Sequence, residues 1–336
     1  MSKLGPVLFV SAAALSAGLI LLLQPVLRRY ALARPNARSS HREPTPQGGG
    51  IAVIAATITV AAVAALATQE MDGSAFARLS SIFAAAAFIA AIGAIDDIRT
   101  VAVGPRLAFQ ALAVIATIAA LPAELRALPF VPWWIERALL VLGGIWFVNL
   151  VNFMDGIDWM TVAEVVPITA GLVLIGTLGA LPWHGIAVAL TLGGAVIGFA
   201  PFNRPVATLF LGDVGSLPIG LLLGWLLVLL AGQGHLAAAL LLPLYYLADS
   251  TATLVRRLLN GEQIWQAHRT HFYQRALDNG LSVPQVVLRV FVVNVLLVAL
   301  AAATVVVATR VAEIAALAVG GAIVVALLAD LARKRT

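Results

Sequence analysis

The sequence contains no cysteine. Disulfide staples, thiolate metal centres and a cysteine nucleophile are therefore excluded. Charge is almost as scarce. Only 11% of the 336 residues are Asp, Glu, Lys or Arg, and 61% are hydrophobic, whereas soluble domains are about a quarter charged and half apolar. No polar stretch is long enough to form a separate soluble domain, and mean hydropathy is +1.00. These values describe an all-α polytopic membrane protein. At about 20 apolar residues per span, the chain has room for roughly ten to twelve. The first apolar run, Leu4 to Leu27, is too long for a signal-peptide core and ends in Arg28-Arg29 without a small-residue cleavage site, so it predicts a retained first helix. The helix interiors lack charge, with Glu164, Asp249 and Arg289 as exceptions near ends, and the hydropathy pattern shows no inverted repeat. Both absences count against a channel or a carrier, which would place ionisable groups near mid-membrane.

The periodic apolar runs predict about eleven helices, near 4–27, 48–68, 79–95, 105–121, 135–151, 161–180, 183–200, 214–232, 235–253, 284–307 and 310–330, within a single domain 1–336. One set of connections (28–47, 96–104, 152–160, 201–213, 254–283 and the tail) holds most of the basic residues. The other carries only Lys3, Arg78, Arg126, Arg137 and Arg310 of the 21. The positive-inside rule makes the first set cytoplasmic, with the amino terminus external and the carboxyl terminus cytoplasmic. In a membrane protein the net charge of +5 reads as topology, and no nucleic-acid partner is expected.

Every polar cluster falls on that same side. Asn149, Asn152, Asp155 and Asp158 are spaced by three at a membrane boundary, where amides and acids lack solvent partners, so the spacing predicts converging acceptor oxygens for a hard cation or a polar ligand. Simple capping of a helix end is the plainer reading. Asp96-Asp97 is a repelling carboxylate pair that suits a base and an electrostatic anchor. Gly212-Asp213-Val214-Gly215-Ser216 opens a helix. Its glycines and amino end suit a phosphate only if a divalent cation offsets Asp213; otherwise Asp213 or Ser216 is a cap. The segment from Arg38 through His41 and Arg42 to Gly48-Gly49-Gly50 reads either as a phosphate cradle or as a topogenic loop followed by a small-residue packing face. His268 and His271, one helical turn apart, with Arg269, Arg275 and the pair Arg256-Arg257, suit pyrophosphate oxygens. Anionic lipid headgroups are the alternative there. Acids and amides for a metal, a basic patch for phosphates and a lipid environment together point to phosphoryl transfer between a soluble donor and a lipid acceptor.

These motifs, in this order, resemble the polyprenyl-phosphate N-acetylhexosamine-1-phosphate transferases, the glycosyltransferase-4 group of the phospho-MurNAc-pentapeptide translocase superfamily. The likeness rests on Ser40 to Gly50, Asp96-Asp97, Asn149 to Asp158, Gly212 to Ser216, and Arg256-Arg257 with Gln266 to His271. The loop Trp265 to Ala276 is most similar to the O-antigen-initiating branch. The resemblance implies a multi-pass enzyme of the bacterial inner (plasma) membrane with a cytoplasmic active site. It implies transfer of a sugar-1-phosphate from a UDP-N-acetylhexosamine to undecaprenyl phosphate, releasing UMP, in lipopolysaccharide or cell-wall biogenesis. By motif position, Asn152 and Asp213 would bind Mg2+, with Mn2+ as the other candidate ion. Asp96, Asp97, His268 and His271 would be catalytic. His41, Arg42, Asp155, Asp158, Asn203, Phe210 and Arg269 would bind substrate, with Phe210 stacking on uracil. Membrane lipids and a second copy of the chain in a homodimer are the other expected partners. The chain departs from the family pattern at Thr100, Trp159, Phe272 and Tyr273. A transporter or lipid carrier without chemistry is the competing class.

Overall fold

The computed structural model describes residues 4–33, 44–68, 70–263 and 268–335. Among them run thirteen helices: α1 Leu4–Tyr30, α2 Gly50–Thr68, α3 Gly73–Ile98, α4 Val103–Ala119, α5 Trp133–Met154, α6 Met160–Ile175, α7 Trp183–Phe199, α8 Asp213–Gly232, α9 Leu236–Leu241, α10 Leu244–Leu259, α11 Phe272–Asp278, α12 Val283–Val307 and α13 Arg310–Ala332. A two-residue antiparallel ladder pairs Leu32–Ala33 with Thr45–Pro46. The protein is an all-α polytopic membrane protein. Among the described residues eight helices are long and apolar enough to span a bilayer, and α4 and α7 are shorter apolar helices.

Local chemistry sets the boundaries. Asp72 caps α3 by accepting the Ala75 amide, and Ser282 with Gln285 forms a capping box on α12. Two expectations are corrected. The predicted helix 235–253 is broken at Pro243 into α9 and α10, because proline removes a backbone donor and clashes with the preceding turn. The helix then resumes as far as Leu259 on a strongly amphipathic pattern. The long connection 254–283 contains α11, but His268 to Thr270 lie outside any helix and His271 is the N-cap. The two histidines therefore do not share a helix face.

α8 is the hub. It is buried along nearly its whole length, while α1 and α13 are mostly exposed, and it packs on α3, α5, α9 and α2. Small residues permit the close approach that drives helix association in lipid. A methyl group on Gly50 would overlap the Gly215 backbone, and one on Gly93 would overlap the main chain at Asp213. The amides of Gly48 and Gly49 donate to the Phe210 carbonyl, and that of Gly50 to the Leu211 carbonyl. Of the two readings of this glycine run, the structure supports the packing face, since its donors are already used.

Candidate active site

Four helix ends meet at one end of the bundle. The last turn of α3 supplies Asp96 and Asp97, and the start of α4 supplies Arg106. The last turn of α5 supplies Asn152, and the first turn of α8 supplies Asp213 and Ser216. Asp97 accepts the Asp213 amide at 3.0 Å and the Val214 amide at 3.1 Å, one on each carboxylate oxygen. A carboxylate on two orphan amides at a helix amino end is favoured by both hydrogen bonding and the helix dipole. The anion expected at this helix start is therefore supplied by the protein. Gly212, at φ +78°, makes room for it, because a Cβ there would lie 2.5 Å from the Asp97 carboxylate. The Gln47 side chain donates to the Asp97 carbonyl at 2.5 Å.

Asp96 turns the other way. It accepts the Val101 amide at 2.6 Å and pairs with the Arg106 guanidinium at 2.9 Å, which also lies 4.0 Å from Asp213. The Asn152 amide donates to Asp213 at 2.8 Å and to the Ser216 hydroxyl at 2.9 Å. The two residues expected to share a metal are thus neighbours despite 61 positions of sequence separation.

The four residues spaced by three do not converge. Asn149 donates to the Gln110 side-chain carbonyl oxygen at 2.7 Å, buried between α4 and α5. Asp155 accepts from the Thr161 hydroxyl. Burial pushes the Asp155 carboxyl up to about 6, opposed by the Thr161 hydrogen bond and reinforced by the negative charges of Asp97 and Asp158. Asp158 accepts the Ala207 amide at 3.0 Å. Of the four, only Asn152 is hydrogen-bonded to the acidic cluster. The chain turns sharply after Asp155, so the helical spacing ends at that C-cap.

Asn203 braces the neighbouring loop. Its oxygen accepts the Trp159 amide at 2.8 Å and its nitrogen donates to the Leu209 carbonyl at 3.1 Å. Trp159 sits at φ +62°, a strained value for a side chain of this size, held there by Asn203 and by its own indole bond to the Ala200 carbonyl at 2.7 Å. Phe210 is half-buried, and its backbone pairs with Pro46, Gly48 and Gly49.

The histidine loop is organised by a residue missing from the expected site, Asp249. This fully buried carboxylate on α10 accepts the Phe272 amide (3.0 Å), the Tyr273 amide (3.2 Å), the Tyr245 hydroxyl (3.1 Å) and the Thr253 hydroxyl (3.3 Å), and it lies 3.3 Å from His271 Nδ1. With a carboxylate beside it, Nδ1 carries the hydrogen and Nε2 is left for the far side of the ring. The rings of His268 and His271 stack at 4.9 Å. Tyr273 donates to the Phe153 carbonyl at 3.0 Å and so fastens this loop to the end of α5, next to Asn152. Arg269 pairs with Asp278 at 3.3 Å. His41 and Arg42 lie outside the described residues.

An apolar cavity of about 280 Å³ lies between α4, α5, α8 and α9 and extends to the opposite end of the bundle at Ala127 and Leu128. It reaches Val148, four residues before Asn152, and Gly220, seven residues after Asp213, so it ends about one helical turn from Asn152 and about two from Asp213.

The profile of glycosyl transferase family 4 matches residues 79–231, which run from α3 through α8 and include the acid pair, Asn152 and Asp213. The likeness to this family covers somewhat under half of the chain. The chain is 24% identical over 297 residues to a probable undecaprenyl-phosphate N-acetylglucosaminyl 1-phosphate transferase of Bacillus subtilis, covering 82% of this chain and 79% of the relative. It is 28% identical to a decaprenyl-phosphate N-acetylglucosaminephosphotransferase of Mycolicibacterium smegmatis, covering 79% and 73%. Over 106 residues it is 33% identical to a phospho-N-acetylmuramoyl-pentapeptide-transferase of Chlamydia trachomatis, covering 30% and 32%. The family profile ends before α9, so Asp249 and the histidine loop lie beyond it.

Proposed function

We propose that this membrane-embedded protein transfers an N-acetylhexosamine-1-phosphate from its UDP donor to undecaprenyl phosphate. An acceptor phosphate oxygen attacks the donor phosphorus that bears the sugar. The bond from that phosphorus to the bridging oxygen breaks, UMP leaves with that oxygen, and polyprenyl-diphosphate-sugar remains in the membrane. The observation that carries this reading is an acidic cluster one to two helical turns beyond the end of an apolar cavity. The two halves match a phosphate joined to a long hydrocarbon tail. The names of the relatives support the same substrate class.

Asp213 and Asn152 would hold Mg2+ or Mn2+. Among the described residues no group of three or more His, Asp or Glu is arranged to hold a metal ion by itself. One carboxylate beside an amide and a hydroxyl fits an ion that keeps its waters and completes its shell with substrate phosphate. Such an ion supplies charge neutralisation to the diphosphate. Asp97 acts by fixing the first turn of α8 and hence Asp213. His268, His271 and Arg269 suit the donor diphosphate or sugar, and Asp155, Asp158, Asn203 and Phe210 form the uridine side. Asn203 works there as a brace, because its amide is already bonded at both ends. The placement of this end in the cytoplasm and an O-antigen-type role in envelope polysaccharide initiation rest on the charge distribution and on the loop Trp265 to Ala276.

The test is a donor screen with purified protein, undecaprenyl phosphate and Mg2+. Label from a UDP-N-acetylhexosamine should appear in the lipid fraction with stoichiometric UMP. No labelled lipid with any such donor would refute the transferase reading and leave the carrier without chemistry.

A further inference from the structure

We propose that Arg106 and Gln110, one turn apart on α4, form the handle for the acceptor's phosphate. This rests on the transferase reading above. One face of α4 runs from half-buried Arg106 to the buried Gln110, Val114, Thr117 and Ile118, and the last three line the apolar cavity. A lipid whose tail lies in the cavity therefore brings its headgroup down past Gln110 to Arg106. Carboxylates alone would repel that phosphate. Arg106 is the basic group that pairs with this cluster, 2.9 Å from Asp96 and 4.0 Å from Asp213, and its Nε is buried without a hydrogen-bond partner. A guanidinium with a spare donor matches a phosphate's oxygens while keeping one acid.

Gln110 makes the second observation independent of charge. It is fully buried, and its Nε2 has no partner. Its orientation is fixed. Asn149 presents Nδ2 to two acceptors, the Ile145 carbonyl at 2.8 Å and Gln110 Oε1 at 2.7 Å, so Gln110 must turn its oxygen to Asn149 and its amino group away. An unpaired donor held at that depth is destabilising unless an acceptor completes it, and the ester oxygen of a phosphate entering along α4 is such an acceptor.

The experiment uses the full-length protein and two readouts. Steady-state kinetics compare Arg106→Gln and Arg106→Lys with wild type. Native mass spectrometry measures undecaprenyl phosphate binding without donor, and size-exclusion profiles check folding. Arg106→Gln should raise the KM for undecaprenyl phosphate by about 10–100-fold, the scale of one charge-assisted contact, with the KM for UDP-sugar within about twofold; Arg106→Lys should recover part of the loss. If Arg106 only neutralises Asp96, the double variant Asp96→Asn/Arg106→Gln restores acceptor binding. If Arg106 holds the phosphate, binding stays lost. Restored binding in the double variant, or an unchanged acceptor KM in Arg106→Gln, overturns the proposal. A wild-type chain inert with every UDP-N-acetylhexosamine overturns the transferase reading instead.

Discussion

Replacing Asp249 by Asn tests whether one buried carboxylate sets the histidine loop. The two side chains have nearly the same shape, so packing is conserved and hydrogen bonding is the main change. One oxygen of Asp249 faces the Phe272 amide, Thr253 and His271; the other faces the Tyr273 amide and Tyr245. The new NH2 cannot accept. Its least damaging position is toward Tyr245, whose hydroxyl can turn to accept, and this leaves the Tyr273 amide without an acceptor. One orphaned buried amide costs about 1–3 kcal/mol. The opposite orientation loses the Phe272 amide and also sets a donor against the His271 Nδ1 hydrogen, which is worse. Asp249→Asn should therefore loosen the first turn of α11 by that amount, seen as hydrogen exchange at Tyr273 about 5–150-fold faster. Turnover should fall through loss of His271 alignment, with the fold retained. Asp249→Ala should cost more, because every bond goes. Wild-type exchange and wild-type turnover in Asp249→Asn would refute the reasoning.

Asp213→Ala should lower turnover by about 10³-fold or more, the scale of removing a principal electrostatic group. Asn152→Ala should raise the Mg2+ midpoint and combine non-additively with it; additive losses at an unchanged midpoint would exclude a shared ion. Asp155 has a native value of about 6, above an unfolded value of about 3.9, so the native state holds the extra proton between them. Stability should accordingly fall as pH rises from about 4 to 6, by on the order of 1–3 kcal/mol relative to Asp155→Asn, read from unfolding across that range; equal pH slopes would dismiss the shift. A reporter fused after Arg275 should read cytoplasmic and one at Ala127 external, and the reverse pattern would invert the site's placement.

The membrane class was legible because hydrocarbon permits few alternatives to apolar helices. The acid motifs were legible as types and spacings, and Asn152 and Asp213 do meet. Register beyond a helix end was not legible. Asp155 terminates α5, so the period of three carried no information about Asp158. Asp249 was visible only as an isolated acid near a helix end, because its partners, the amides of Phe272 and Tyr273, are backbone groups that every residue carries. Arg106 stands in the sequence as one basic residue just inside a predicted helix, with no motif of its own. Its proximity to Asp96 depends on how tightly the chain turns between α3 and α4, which composition does not specify. The break at Pro243 was predictable from proline chemistry but hidden by continuous hydropathy on both sides.

The bond from Asp97 to the start of α8 joins residues 116 positions apart, and this sets an order of assembly. A ribosome adding about 5–20 residues per second needs roughly 6–23 seconds to make the second partner after the first. Throughout that interval Asp97 is without its partners on α8. The bonds of Asp96 to Val101 and Arg106 reach only five and ten positions ahead, so they close almost at once and hold the α3–α4 corner in shape. One acid of the pair thus serves the nascent hairpin and the other waits for the hub. The two neighbours differ less in chemistry than in the moment at which each is needed.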